Sequence, residues 1–295
     1  MTPTNQKILC MVMDNKSVAE ICEKFNLTRT QLKSRIQSIK KEGYRVDTMY
    51  SPNGKDRLFI NYNSYTLTTP YVRTCDIGNN ILIGLVADTH IGSDFCDMDS
   101  IKRIYEYFNN KGINFVFHLG DIVDGDLKSK SSDIESQVLT AILDYPTDSS
   151  IRNFIVLGNH DEDFVEKSGI DIGCALEHYR DDFISLGYAD SFIKLANSSI
   201  KLVHKPNFGD CTDLDLAIGG HLHKYKFSCG DGIVKIVCPA LSNVNPYRNF
   251  AGALMLKLNF DSSNLADLVL SQLMVIDGKV VETGENYYQY TKKRK

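Results

Sequence analysis

The chain has 295 residues, of which 24% are charged and 43% hydrophobic, and its formal net charge is −4. That length allows one large or two modest domains with a real core, and the balance is that of an ordinary water-soluble protein, which excludes fibrous and disordered classes. No apolar run approaches membrane-spanning length and the first residues lack a signal-peptide pattern; eight cysteines lie scattered without a C-x-x-C pair, so a cytoplasmic protein with free thiols and no membrane partner is expected.

The charge is unevenly spread. Residues 1–60 carry eleven Lys/Arg against six Asp/Glu, a surplus of +5, while the remainder carries 22 against 31, or −9. A basic module joined to an acidic one suggests a polyanionic partner for the first.

The basic module reads as three short helices and a hairpin. Thr4 to Met13 places Ile8 and Val12 on one face. Ser17-Val18-Ala19-Glu20 is a capping box, opening a second helix that buries Val18, Ile21 and Phe25. Thr28-Arg29-Thr30-Gln31 is another, opening a third helix with an apolar stripe of Leu32, Ile36 and Ile39 and a stop at Gly43. Two strands follow, Tyr44 to Tyr50 and Arg57 to Tyr62, joined through the turn signal Asn53-Gly54.

This arrangement resembles helix-turn-helix DNA-binding domains of the winged-helix kind, with residues 1–62 as the domain. The resemblance makes the third helix the reader: Arg29, Thr30, Lys33, Ser34, Gln37, Lys40 and Lys41 would contact nucleic acid, with Lys55 and Arg57 on the wing. Winged helices also serve protein interaction or dimerisation, and a lysine-rich face can simply be solvated. Residues 63–79 show neither periodicity and contain Pro70, so they read as a linker.

From residue 80 to about 290 the pattern changes. Ile81 to Ala87 is an apolar run ending in Asp88-Thr89-His90-Ile91-Gly92. It reads as a strand buried on both faces that delivers a carboxylate and an imidazole at its carboxyl end. Four further strands end alike. Asn114 to Leu119 leads to Gly120-Asp121-Ile122-Val123-Asp124-Gly125, and Arg152 to Leu157 to Gly158-Asn159-His160-Asp161. Ile200 to Val203 ends at His204, and Leu214 to Ile218 at Gly219-Gly220-His221-Leu222-His223. Helices are expected over Asp97 to Asn110, Ser132 to Leu143 and Gly169 to Arg180. Past His223 the strands Lys224 to Ser228, Ile233 to Cys238, Ala251 to Leu258 and Leu268 to Ile276, with one more after Asp277-Gly278, would complete a second sheet.

The set DTH, GDIVDG, GNHD, a strand-end His and GHLH, in that order, resembles the calcineurin-like metallophosphoesterases from about Ile81 to the 250s. The resemblance implies an α/β (α+β) fold, a four-layer αββα sandwich of two mixed sheets, carrying two metal ions at its strand ends. It gives Asp88, His90 and His223 to one ion and Asn159, His204 and His221 to the other, with Asp121 between them. His160 would be the general acid or a transition-state stabiliser, Asp161 its orienting partner, and Asp124 a support behind the ligands. Mixed oxygen and imidazole ligands suit Mn, Fe, Zn or Co better than Mg or Ca, and Mn²⁺ is the expected ion.

Departures from the family narrow the substrate. Protein phosphatases resembling this chain carry arginines where Gly125 and Leu157 stand, and a Glu in place of Asp161. Losing two phosphoryl-gripping guanidiniums lowers the monoesterase reading. The expected activity is a metal-dependent phosphodiesterase or nuclease on DNA, less readily RNA, docked by the winged helix. The alternatives are a phosphatase or small-molecule phosphodiesterase whose winged helix binds protein, and a DNA-binding regulator with an inert scaffold. His118 reads as a core histidine, His178 as a helix-surface residue, and the tail from Asn286 as an edge strand with solvated lysines. Oligomeric state is open, a homodimer included.

Overall fold

A computed structural model describes residues 1–61, 71–125, 133–188, 190–243 and 251–290. Tyr62, residues 63–70 of the expected linker, Ser132 and the tail lysines Lys292, Lys293 and Lys295 lie outside the described residues.

The amino-terminal helices fall where their caps place them. α1 spans Pro3–Met13, α2 Val18–Phe25 and α3 Arg29–Lys41. Both capping boxes form, Ser17 with Glu20 and Thr28 with Gln31, so the free amides at each start are satisfied. Ile8, Ile21, Leu32 and Ile39 meet Val46 and Leu58 of the hairpin in one apolar cluster. The hairpin strands, β1 (Val46–Tyr50) and β2 (Arg57–Ile60), pair antiparallel with Val46 opposite Ile60.

The expected linker is in part a strand. Tyr71–Thr74 forms β3, which pairs parallel with both β1 and β8 (Ser191–Leu195). The hairpin is thereby the end of an eight-stranded sheet, ordered β11-β12-β10-β9-β8-β3-β1-β2. In it β9 is Ser198–Leu202, β10 Leu216–Gly219, β11 Lys226–Gly230 and β12 Ile233–Val237.

The second sheet has seven strands, ordered β15-β14-β13-β4-β5-β6-β7. Its parallel half is β4 (Asn80–Val86), β5 (Phe115–His118), β6 (Arg152–Ile155) and β7 (Phe183–Ser185). β13 (Gly252–Asp261), β14 (Asn264–Ile276) and β15 (Lys279–Gln289) extend it antiparallel from β4. Only β11 and β12 of the late strands join the other sheet, so the expectation that all of them would do so is corrected. Periodicity locates a strand but not the edge it pairs with.

The sheets face each other across an apolar layer that includes Ile83, Phe117, Phe154, Ile200, Ile218 and Leu256. α4 (Met98–Asn110), α6 (Asn159–Ser168) and α7 (Ile172–Tyr179) cover the far side of the seven-stranded sheet. α5 (Ile134–Leu139), continued by a π-helical turn over Thr140–Asp144, lies on the same side. Gly84 admits α4 closely, since a Cβ there would lie 2.6 Å from the Phe108 ring. The mixed α/β sandwich matches the expectation; over the eight-stranded sheet, among the described residues, an apolar group around Phe208, Cys211 and Leu214 packs on Phe192, Ala217 and Ile233. No helix among the described residues is long and apolar enough to cross a membrane.

Candidate metal centre

β4, β5 and β6 run parallel, so their carboxyl ends converge with those of β9 and β10 at one end of the sandwich. Asp88, His90, Asp121, His221 and His223 all take left-handed φ, of 55, 45, 54, 67 and 50°. Backbone of that kind costs about 1 kcal/mol or more per residue and persists where surrounding structure over-determines it. Here each strand-end loop is laced to the next: Asp88 N–H donates to Gly120 O at 2.9 Å, His90 N–H to Asp121 O at 3.1 Å and Gly220 N–H to His204 O at 2.9 Å.

Asp88, His90, Asp121 and His223 bring their ligand atoms together in one cluster, and Asp121, His204 and His221 in a second. The atoms that meet are lone-pair donors. His90 Nε2 faces His223 Nε2 at 3.2 Å, and His223 Nε2 lies 3.5 Å from Asp88 Oδ1. His204 gives its Nδ1 to Leu119 O at 2.6 Å. Its Nε2 then meets Asp121 Oδ2 at 3.1 Å, Asn159 Oδ1 at 3.1 Å and His221 Nδ1 at 3.2 Å. Four such atoms around one point repel one another unless a cation lies among them, and two clusters sharing Asp121 fit a dinuclear site.

The electrostatics favour positive charge. Burial opposes ionisation of Asp121, but the His204 hydrogen bond and charge and the His160 amide outweigh it and hold its pKa at about 2. Burial likewise opposes an imidazolium at His204, and the same contact with Asp121 outweighs it, so that pKa is raised. His90 Nδ1 is buried without a hydrogen-bond partner, 3.6 Å from Asp124 Oδ1. A ligating imidazole commonly turns its second nitrogen toward a carboxylate, which is the part expected of Asp124.

His160 and Asp161 separate in role. The His160 amide donates to Asp121 Oδ1 at 2.9 Å, its Nδ1 bonds to the Asp124 carbonyl at 2.5 Å, and its ring packs edge-on against His90 at 4.6 Å. Asp161 does not orient it, which corrects the expectation. The Asp161 carboxylate is fully buried and accepts three main-chain amides, from Ile122 at 2.9 Å, Val123 at 3.1 Å and Gly158 at 2.8 Å. It ties the Asn159 loop to the Asp121 loop and completes a capping box on α6; burial, then the Asp121 charge, push its pKa up to about 7 against those amides. Gly158 makes the approach feasible, because a Cβ there would lie 2.1 Å from Asp121 Oδ1.

The residues expected to touch nucleic acid are more divided. Thr30, Lys33, Ser34, Gln37 and Lys41 are exposed on α3 and Lys55 on the hairpin turn. Arg29 Nη1 instead contacts Asp56 at 3.1 Å, Lys40 contacts Asp47 at 3.5 Å and Arg57 contacts Asp76 at 3.5 Å. Arg29, Lys33, Gln37 and Lys40 line a crevice of about 410 Å³ that Glu177, Asp181 and Ser185 line as well. Asp56, 3% exposed, also lies 3.6 Å from Arg152 Nη2 at the start of β6. Sequence reasoning missed Asp56, whose carboxylate accepts the Ser51 amide at 3.0 Å and meets Arg29 and Arg152, residues too distant along the chain for a local pattern to reveal.

Strand-end loops on a two-sheet sandwich thus bear two ligand clusters with a shared carboxylate, the arrangement that the metallophosphoesterase resemblance implied. Residues 81–225, just under half of the chain, match the family model for calcineurin-like phosphoesterase. No curated protein matches the chain. Among solved structures it is similar to a conserved protein from Streptococcus pneumoniae TIGR4 described as a predicted phosphoesterase, at 15% identity and a TM-score of 0.42, over 71% of this chain and 98% of that one. Vacuolar Protein Sorting 29 from Cryptosporidium parvum matches at 15% identity and a TM-score of 0.45, over 72% and 100%. An archaeal phosphodiesterase matches at 15% identity and a TM-score of 0.40, over 63% and 97%.

Proposed function

We propose that this chain hydrolyses phosphodiester bonds of nucleic acid, DNA before RNA, with residues 1–62 acting as a winged helix that docks the substrate. The observation that carries the hydrolytic half is the pair of ligand clusters joined through Asp121. When bound, two divalent cations, Mn²⁺ by preference, would offset phosphoryl charge and make water acidic enough to attack at neutral pH. The remaining work falls to the chain itself. Asp88, His90 and His223 would hold one ion, Asn159, His204 and His221 the other, and the His160 ring, fixed through Nδ1 on the Asp124 carbonyl, has Nε2 left to give a proton to the leaving oxygen. Gly125 and Leu157 leave the site without the arginine grip that suits a dianionic monoester.

Support for the docking half is positional. β1, β3 and β8 run away from the metal-centre end, so the carboxyl end of α3, with exposed Lys41, leads into that end of the sheet. β1 stands three strands from β9, a lateral reach of about 14 Å, within the span of a few nucleotides. The Asp56 contacts with Arg29 and Arg152 favour a second reading, in which the module is fastened as an interaction or regulatory unit and the substrate is small.

Turnover with Mn²⁺ of bis(p-nitrophenyl) phosphate against p-nitrophenyl phosphate, then of labelled single- and double-stranded DNA and RNA, separates the two. The diester is expected to be preferred and nucleic acid cut. Preference for the monoester with nucleic acids untouched would replace the first reading with the second.

A further inference from the structure

His118 belongs to neither ligand cluster, yet it lies beneath the loops that carry both. Along β5, Phe115 and Phe117 point between the sheets and Val116 toward the helices, so the two-residue period puts His118 on the helix side. There it is fully buried, its ring 6.2 Å from that of Tyr145. An imidazole in such a place is costly unless both nitrogens find partners. Both do. The Gly120 amide donates to Nδ1 at 3.3 Å, which leaves the ring proton on Nε2, facing Thr89 Oγ1 at 3.5 Å. The Thr89 hydroxyl in turn donates a hydrogen bond to the Ile122 carbonyl at 3.0 Å. These contacts run in one direction, from the Asp121 loop through the ring to the residue between Asp88 and His90, and back to the Asp121 loop.

We propose that His118 and Thr89 form a positioning clamp that sets the spacing between the Asp88–His90 turn and the Asp121 turn, and so the affinity with which the paired cations are held. The inference rests on the metal-centre reading above. It matters because Asp88, His90 and Asp121 are all in left-handed backbone, from which L residues relax unless restrained. Main-chain bonds secure Asp88 and His90 on either side, and the fully buried Thr89 side chain secures the middle. Burial lowers the His118 pKa to about 3, so the ring is neutral wherever the protein works and its tautomer is set by these partners. Neither residue touches substrate, and His118 acts only through the loops that it joins.

The test is calorimetric titration of Mn²⁺ into the purified full chain, for the wild type, Thr89→Val, His118→Asn and the double variant, with thermal unfolding in chelator alongside. Thr89→Val keeps the shape and removes the hydroxyl. His118→Asn keeps an acceptor for the Gly120 amide and gives up the reach to Thr89. Each single change is expected to weaken Mn²⁺ binding about tenfold or more, and the double change little further, because both open one circuit. Tyr105→Phe, which removes a buried hydroxyl bonded at 2.6 Å to Asn153 Oδ1, serves as the comparison: it is expected to lower the unfolding midpoint and leave Mn²⁺ affinity unchanged. A Thr89→Val protein that loses stability but binds Mn²⁺ like the wild type would overturn the clamp, as would a double variant whose loss is the sum of the two singles. A wild type that binds no Mn²⁺ overturns the metal-centre reading itself, and the clamp with it.

Discussion

At the scale of single residues, His160 and Asp161 are neighbours with unrelated work. One ring nitrogen of His160 is engaged by the Asp124 carbonyl, while Asp161 is consumed by three amides and is buried completely. His160→Gln is therefore expected to lower kcat by roughly 10²–10⁴-fold, the usual worth of a positioned proton donor, with bound Mn²⁺ unchanged. A variant with wild-type kcat, or one that loses its metal, would remove His160 from the proton-transfer role. The convergence of Asp88, His90, Asp121, His204, His221 and His223 was legible in the sequence because each lies at the end of an apolar strand, so rigid backbone and metal-binding chemistry are adjacent letters. The partner of Asp161 was not, since its amides come from Ile122 and Val123, some 39 residues earlier, and no local pattern records such a bond.

Elements were legible to the degree that their signals are local. α2 and α3 announce themselves through capping boxes, and α4 through Ile101, Ile104 and Phe108. α6 was missed because only Asp161 and Phe164 of its ten residues are buried, which leaves no stripe to detect; the clue was Gly158 three residues before Asp161. β3 was missed because four residues are too few for a period and Pro70 precedes them. The tail was read correctly as an edge strand: Tyr288 and Tyr290 pack on the core, and the Tyr290 hydroxyl donates to Asp215 O at 2.8 Å.

The element on which the docking reading turns is α3. Its exposed Lys33 and Lys41 are the charges to reverse, because Arg29 and Lys40 contact acidic partners. Lys33→Glu with Lys41→Glu is expected to weaken DNA binding by the full chain and to make the logarithmic salt dependence shallower by about 2, as for two lost phosphate contacts. Unchanged duplex affinity and slope would remove α3 from the interface and favour the small-substrate reading.

At the scale of the whole molecule, the amino-terminal module is continuous with the two-sheet sandwich. β1, β2 and β3 are strands of one eight-stranded sheet, and Tyr50 packs its ring against Phe154 at 5.2 Å. The boundary read at residues 63–79 marks a change of composition but not of pairing. A chain shortened to begin at residue 78 loses β3 and uncovers the edge of β8, so it is expected to aggregate or to unfold at lower temperature than the full chain. If the shortened protein stayed monomeric with an unchanged midpoint, the sheet would not be the integrating element described above.

Asp121 belongs to both ligand clusters, and a dinuclear site requires its carboxylate. The most direct measurement is metal content after loading with Mn²⁺, for the wild type and for Asp121→Ala. Two ions per chain are expected in the first and one or none, with hydrolysis of bis(p-nitrophenyl) phosphate abolished, in the second. A wild type holding fewer than two ions, or an Asp121→Ala protein that holds two and hydrolyses the diester at the parental rate, would contradict it.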